Sequence, residues 1–325
     1  MGALPLGMVI KLLSDRTLQP AALQLVPVGE SAEVTTRFCS QPLLLELSHR
    51  FTCVLDAGDA AGFSSGDLQA LQAMGCKTMP AGAILLTEAF PDASLPEDVR
   101  YLAGDWYFRP LAKPGTDRAG SRALALKLVQ LVACDADTRE IEEIFRREPT
   151  LSYHLLRLVN SPGVGAGRVV TSFAQAILIL GRSQLRRWLN LLLFASRKDD
   201  PRAPMLMARA TVRGRLLEMM AREAGLDGAG RERAFMAGMF SLLGAMFGVS
   251  LAELLPPLKL DESIVAALLR KEGEIGKLLA ALEAAEVGDS SGLAGCLPEG
   301  CDFDLLALEA NLWMLDLILT EPRDA

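Results

Sequence analysis

Histidine and cysteine, the side chains that most often bind metals or act as nucleophiles, are scarce and scattered in this sequence. The two histidines are His49 and His154, and the six cysteines form no C-x-x-C pair. A zinc site needs several such ligands at close spacing, and a catalytic triad needs a histidine beside its nucleophile. The sequence therefore predicts no catalytic residues, no metal site and no cofactor.

The cysteines are interpreted as reduced thiols of a cytoplasmic protein, because stable disulfides are rare in that compartment. Residues 1–6 contain no basic residue, and Lys11 interrupts the apolar run that follows, so we expect no secretory signal. A disulfide between Cys296 and Cys301 is the alternative, since the two are close in sequence. The remaining cysteines are Cys39, Cys53, Cys76 and Cys134.

Composition indicates a compact globular protein that does not bind nucleic acid. Half of the 325 residues are hydrophobic, the mean hydropathy is +0.26, and the net charge is -7 with a pI near 5.1. Nucleic-acid binders usually carry a basic surface instead. The cluster of Arg182, Arg186 and Arg187 is the one candidate basic face, and we interpret it as the solvated side of an amphipathic helix.

Residues 234–252 contain no charged side chain and approach the length of a membrane span, about 18 residues. Three glycines and two serines interrupt this stretch. We expect a buried helix followed by a turn, with a membrane span as the alternative.

Two domains are predicted from the length and from a cluster of prolines and glycines near residues 110–120. The boundaries are 1–112 for the first domain, 113–120 for the linker and 121–325 for the second domain. In the first, residues 43–47 and 52–55 are predicted strands and 65–74 a predicted helix, which is an α/β alternation. Residues 1–42 follow neither period.

The second domain is predicted to be all-helical, because apolar residues recur at helical spacing from residue 121 onward. Leu124, Leu128 and Leu131 form the first such stripe. The chain as a whole should therefore be predominantly helical. Further helices are predicted in each half of this domain, with the later ones at 205–224, 234–255, 262–282 and 304–319.

Three motifs in the second domain resemble the HDOD family of bacterial signalling domains. They are Glu-Pro-Thr-Leu-Ser at 148–152, Leu-Leu-Arg-Leu-Val-Asn-Ser at 155–161 and Ile-Leu-Ile-Leu-Gly at 177–181. The resemblance covers most of 121–325. It implies an all-helical fold similar to that of HD-type phosphohydrolases but without their metal site.

Residues 237–244, Ala-Gly-Met-Phe-Ser-Leu-Leu-Gly, resemble the HD segment small-Gly-Leu-Leu-His-Asp-Ile-Gly. By this resemblance Ser241 replaces the histidine and Leu242 replaces the aspartate. Leucine has no electron pair to donate, and a serine hydroxyl is a poor substitute for imidazole at a transition metal. We therefore expect that the chain is not an enzyme of the HD type.

Three short fragments of the first domain resemble the later part of an EAL domain, a barrel that hydrolyses cyclic di-GMP. They are Leu-Glu-Leu-Ser at 45–48, Val-Leu-Asp-Ala-Gly at 54–58 and Gly-Asp-Trp-Tyr-Phe-Arg-Pro at 104–110. The Glu-Ala-Leu signature is absent, Ala57 occupies the second aspartate position, and an eight-fold barrel needs about 250 residues. The resemblance implies a truncated, degenerate α/β fragment. Glu46 and Asp56 are the residual carboxylates, which either hold Mg²⁺ or are simply solvated.

The expected function is that of a non-catalytic signalling or scaffold protein that binds other signalling proteins and neither nucleic acid nor membrane. If the HDOD layout holds, its partner surface comprises Asn160, Ser161, Arg182 and Arg187. The alternatives are a cyclic di-GMP phosphodiesterase and a protein that binds cyclic di-GMP without hydrolysis, in both cases through the first domain.

Overall fold

The computed structural model of the chain describes residues 4–28, 32–91, 95–109, 181, 200–258 and 260–318. The described residues up to 109 form a mixed α/β unit, the sheet region, and those from 200 onward form an all-helical unit, the helical region. The linker 113–120 and the helices predicted between 121 and 199 lie outside the described residues, so the domain boundaries stay predictions.

The sheet region contains a six-stranded sheet in which one strand runs against the others. The order is β4-β3-β2-β1-β6-β5, with β1 (Met8–Ser14), β2 (Pro20–Pro27), β3 (Cys53–Asp56), β4 (Lys77–Met79), β5 (Ile84–Leu86) and β6 (Tyr101–Ala103). Most residues of β1 are buried, so the alternation typical of a half-exposed strand is missing from the sequence. β1 is antiparallel to both of its neighbours, β2 and β6, whereas the β2–β3, β3–β4 and β5–β6 pairs are parallel.

Three helices accompany the sheet: α1 (Ala32–Cys39), α2 (Pro42–Arg50) and α3 (Ser65–Ala73). The helix predicted at 65–74 is confirmed by α3. The hydroxyl of Ser64 caps it by accepting a hydrogen bond from the amide of Asp67 at 3.1 Å. Gly75 follows the helix with a φ of +92°, a conformation that glycine adopts without strain.

The strand predicted at 43–47 is wrong, because these residues lie in α2, whereas the strand at 52–55 is confirmed by β3. Leu44 and Leu47 are fully buried, while Leu45 between them is 42% exposed. This spacing of three is that of a helix face. Pro42 in the first turn favours helix initiation at this point.

The helices predicted at 205–224 and 304–319 are confirmed. Each of the other two predicted helices corresponds to more than one helix in the structure. The stretch 234–255 breaks after Phe240 and again at Gly248, whose φ is +67°. The stretch 262–282 breaks at Lys271, a non-glycine residue with a φ of +56°. The helices are α4 (Ala203–Glu223), α5 (Gly228–Phe240), α6 (Leu243–Phe247), α7 (Leu251–Leu254), α8 (Glu262–Arg270), α9 (Gly273–Ala285), α10 (Leu293–Cys296) and α11 (Phe303–Ile318).

One hydrophobic core extends through both regions, since buried residues of the sheet and of α4, α5, α9 and α11 form a continuous cluster. Asp304, which is 1% exposed, joins them by accepting hydrogen bonds from the amides of Gly7 at 2.9 Å and Met8 at 3.2 Å. Arg37 lies 3.2 Å from the same carboxylate. Among the described residues, none of the helices combines the length and apolarity that a membrane crossing requires.

Candidate functional site

The candidate site lies where Ser241 follows the last turn of α5, beside α4. The two helices approach closely at a pair of glycines. A Cβ atom on Gly238 would lie 2.6 Å from the backbone oxygen of Arg213, and one on Gly214 would lie 2.9 Å from Cγ of Met239. This close packing places the side chain of Arg213 next to Ser241.

Both hydrogen-bonding functions of the Ser241 hydroxyl are used within the protein. The hydroxyl donates to the carbonyl oxygen of Gly238 at 2.7 Å and accepts from Nη1 of Arg213 at 3.0 Å. Leu242, the next residue, is 4% exposed and packs in the apolar core. The positions at which the HD resemblance places metal ligands are therefore occupied by a paired hydroxyl and an apolar side chain.

The guanidinium group of Arg213 also forms a two-bond ion pair with Glu286, the residue that follows α9. Nε lies 2.8 Å from Oε1 and Nη2 lies 2.6 Å from Oε2. Arg209, one helical turn earlier on α4, contributes Nη2 at 2.9 Å from Oε2 of Glu286. The side chains of Arg209, Arg213 and Glu286 are only 15%, 10% and 10% exposed. With Ser241 they form what we term the arginine cluster.

Arg213 and Glu286 form a charged pair at neutral pH. Burial by itself would raise the pKa of Glu286, but the charges of Arg209 and Arg213 hold that pKa below its ordinary value. Burial would likewise lower the pKa of Arg213, and the Glu286 carboxylate raises it instead. Mutual charge compensation of this kind is what makes a buried pair tolerable.

Two aromatic residues of the sheet region lie against the arginine cluster. They belong to the 3₁₀ turn Trp106–Phe108. The guanidinium carbon of Arg213 is 5.8 Å from the ring centroid of Phe108, within range of a cation–π contact. Tyr107 is 4% exposed, and burial raises its pKa. The sheet region thus closes one side of the cluster.

A second buried ion pair lies at the start of α4. Arg202 is fully buried and binds Asp200 through Nε at 3.0 Å and Nη2 at 2.8 Å. Its Nη1 donates to the carbonyl oxygens of Arg109 and Ala245. Arg202 therefore ties the end of the sheet region to the beginning of α4 and to α6.

The two EAL-like carboxylates do not share an element or a partner. Glu46 lies on α2 with its side chain 53% exposed and forms an ion pair with Arg50 at 3.4 Å. Asp56 ends β3 and accepts a hydrogen bond from the amide of Gly58 at 2.8 Å. In the described portions of the chain, no three histidine, cysteine or acidic side chains are grouped as a metal site would require.

The four residues of the predicted partner surface lie outside the described residues: Asn160, Ser161, Arg182 and Arg187.

The sequence pointed to Ser241 and Leu242 but did not reveal the three charged members of the arginine cluster. A signal for two of them was present. Arg209 and Arg213 are four residues apart on a mostly buried helix, where unpaired charges are unfavourable.

Comparison with known proteins assigns the family. The model of the HDOD domain family matches residues 123–289, which is just over half of the chain. The chain therefore belongs to the HDOD domain family.

Two curated proteins are similar to this chain. One is cyclic di-GMP phosphodiesterase CdgJ from Vibrio cholerae, 32% identical over 187 residues that make up 56% of this chain and 43% of CdgJ. The other is the uncharacterized protein YuxH from Bacillus subtilis, 27% identical over 43% of this chain and 34% of YuxH. The chain thus matches less than half the length of either relative.

Among solved structures, an HDOD domain protein of unknown function from Geobacter sulfurreducens aligns with 61% of this chain and 91% of its own. The TM-score is 0.40 and the sequence identity 15%.

Proposed function

We propose that this chain is a non-catalytic HDOD signalling protein that acts by binding other signalling proteins and belongs to cyclic di-GMP signalling. One observation supports the absence of HD-type metal-dependent hydrolysis: the guanidinium of Arg213 donates a hydrogen bond to Ser241 at 3.0 Å. A fixed positive charge beside this position disfavours a divalent metal ion through electrostatic repulsion. The one carboxylate of the cluster, that of Glu286, is already paired with both arginines.

Metal titration and turnover test this loss directly. Calorimetry with Mn²⁺ and with Mg²⁺ should give no stoichiometric binding to the purified chain. Cyclic di-GMP incubated with the chain and either metal should remain intact. Metal binding that disappears when Arg213 and Glu286 are both replaced by methionine would contradict the proposal, because it would place the metal at the arginine cluster.

The link to cyclic di-GMP is supported by the similarity to CdgJ, whose name describes a cyclic di-GMP phosphodiesterase.

The same similarity favours a second candidate function, in which an EAL-like sheet region hydrolyses cyclic di-GMP or binds it without hydrolysis. If that region hydrolyses the dinucleotide, Glu46→Ala should abolish turnover. Calorimetry with cyclic di-GMP separates binding from hydrolysis. The observed solvent exposure of Glu46 favours the non-catalytic proposal.

Partner binding is tested by capture of proteins from a native lysate on the full chain. Arg187→Glu should lose a partner that the wild type retains, because it reverses a charge on the proposed surface. Arg100→Glu is the matched control, since it makes the same charge change at an exposed position of the sheet region. Equal retention by both variants and the wild type would contradict this choice of surface.

A further inference from the structure

The sheet region buries two cysteines beside each other. Cys53 begins β3, and Cys76 immediately precedes β4. The parallel register pairs Val54 with Lys77, so the residues one step earlier, Cys53 and Cys76, also stand opposite each other. They are 1% and 4% exposed and belong to the same apolar cluster, so both side chains lie on one face of the sheet.

The separation of neighbouring strands suits a disulfide. Adjacent strands lie about 4.8 Å apart, and disulfides form across Cα separations of about 4.4–6.8 Å. Both thiols lie on the same buried face of the sheet, and each shifts the pKa of the other. Oxidation would therefore require only a small movement of the side chains.

We propose that Cys53 and Cys76 form a redox-modification site, at which a low-molecular-weight disulfide such as oxidised glutathione converts the two thiols into an intramolecular disulfide. The thiolate of Cys76 attacks the small disulfide, forms a mixed disulfide and releases one thiolate. Cys53 then loses its proton and attacks the sulfur of Cys76, releasing the second small thiol. The protein loses two protons and two electrons, and one small disulfide takes them up to become two thiols.

The environment assigns Cys76 the role of the attacking thiol. The hydrogen bond from Cys53 lowers the pKa of Cys76, and the thiolate is the nucleophilic form. Cys76 also follows the exposed Gly75 and precedes β4, an edge strand whose first two residues are exposed. The third thiol nearby is Cys39, for which burial, followed by the charge of Asp67, raises the pKa to about 12. Cys39 is therefore a poor competitor.

The disulfide would tie edge strand β4 to β3 and close the intervening segment, which contains α3, into a covalent loop. Cross-linking a loop restricts the opened chain more than the folded one. The oxidised protein should therefore resist local opening at this edge of the sheet more than the reduced protein does.

Peptide mapping of the full chain without reductant, after treatment with oxidised glutathione, tests the site. The wild type should yield a peptide joined through Cys53 and Cys76. Cys53→Ser should stop at glutathione bound to Cys76, because the resolving thiol is missing, and Cys39→Ser should still give the wild-type bond. Phenylarsine oxide, which binds paired thiols, should block the reaction in the wild type.

Three results would overturn the proposal: a bond between Cys39 and either partner, oxidation confined to the more exposed Cys296 and Cys301, or no glutathione on Cys76 in the Cys53→Ser protein. Circular dichroism establishes whether each variant is folded. If a serine variant is not folded, alanine replaces serine. The wild-type peptide map decides between the pairings in either case.

Discussion

The helical region and the sheet region differ in how they hold an acidic side chain, Glu286 in the first and Glu46 in the second. Glu286 is 10% exposed and lies between two arginines, one of which donates a hydrogen bond to Ser241. Glu46, at the EAL-like position, is 53% exposed and faces one arginine on its own helix. The stronger electrostatic arrangement of the two therefore lies in the helical region, beside Ser241.

This contrast predicts that Glu286→Ala destabilises the protein most among the changes considered. The variant removes the carboxylate that Arg209 and Arg213 share, and breaking such a buried pair costs about 3–5 kcal/mol. Urea denaturation followed by circular dichroism measures the loss. Glu283→Ala is the control, because Glu283 is 31% exposed and 3.8 Å from Arg213, and it should cost less than about 1 kcal/mol. Equal losses would contradict the assigned importance of Glu286.

Asp304 joins the two regions and gives the next largest effect, as a dependence on pH. Burial raises its pKa to about 6, whereas the unfolded value is about 3.9. The folded state therefore retains a proton that the unfolded state loses, so the free energy of unfolding falls as pH rises from 4 to 6. The decrease is about 3 kcal/mol and is complete above that range.

Comparing the wild type with Asp304→Asn isolates this dependence, because asparagine does not titrate and all other groups are shared. The stability difference between the two proteins should shift in favour of the variant from pH 4 to pH 7. Denaturation at intervals of pH measures it. A constant difference across this range would show that Asp304 titrates normally.

Gly238→Ala tests whether close helix packing positions the arginine cluster. The added methyl group would collide with the backbone of Arg213, so we expect a loss of about 2 kcal/mol. Gly295→Ala is the matched control, because no heavy atom lies within 4 Å of its added carbon. Thermal unfolding should separate the two variants, and a harmless Gly238→Ala would rule out tight packing at this crossing.

Glu46→Ala should have the smallest effect, within about 0.5 kcal/mol, because an exposed ion pair within one helix contributes little. The same urea experiment measures it. A loss as large as that of Glu286→Ala would remove the contrast between the two regions.

Much of the helical region could be predicted from the sequence because its long helices carry regular apolar periods. The bounds of α4 and α11 follow from that pattern. The break at Lys271 could not be predicted in this way, since a left-handed φ at lysine is set by packing around the turn. Short apolar runs such as 43–47 fit a strand and a buried helix equally well. There, Pro42 was the more informative signal.

The candidate site could be predicted only in part. Ser241 and Leu242 were identified through the resemblance to HD proteins. Glu286 is separated from Arg213 by 73 residues, and no local pattern joins residues so far apart. The buried state of the pair depends on how α4, α5 and α9 pack, which periodicity alone does not specify.

The bond from Arg202 to the carbonyl of Arg109 has a consequence for how the polypeptide is connected. The chain leaves the sheet region at Arg109 and enters α4 a short distance from the same point. The hydrogen bond therefore joins two points that are 93 residues apart in the sequence. Closure entropy grows slowly, by about 0.6 kcal/mol for each doubling of loop length. Bringing these two points together therefore costs little more entropy than closing a segment half as long, and the buried side chain of Arg202 holds the junction once it has formed.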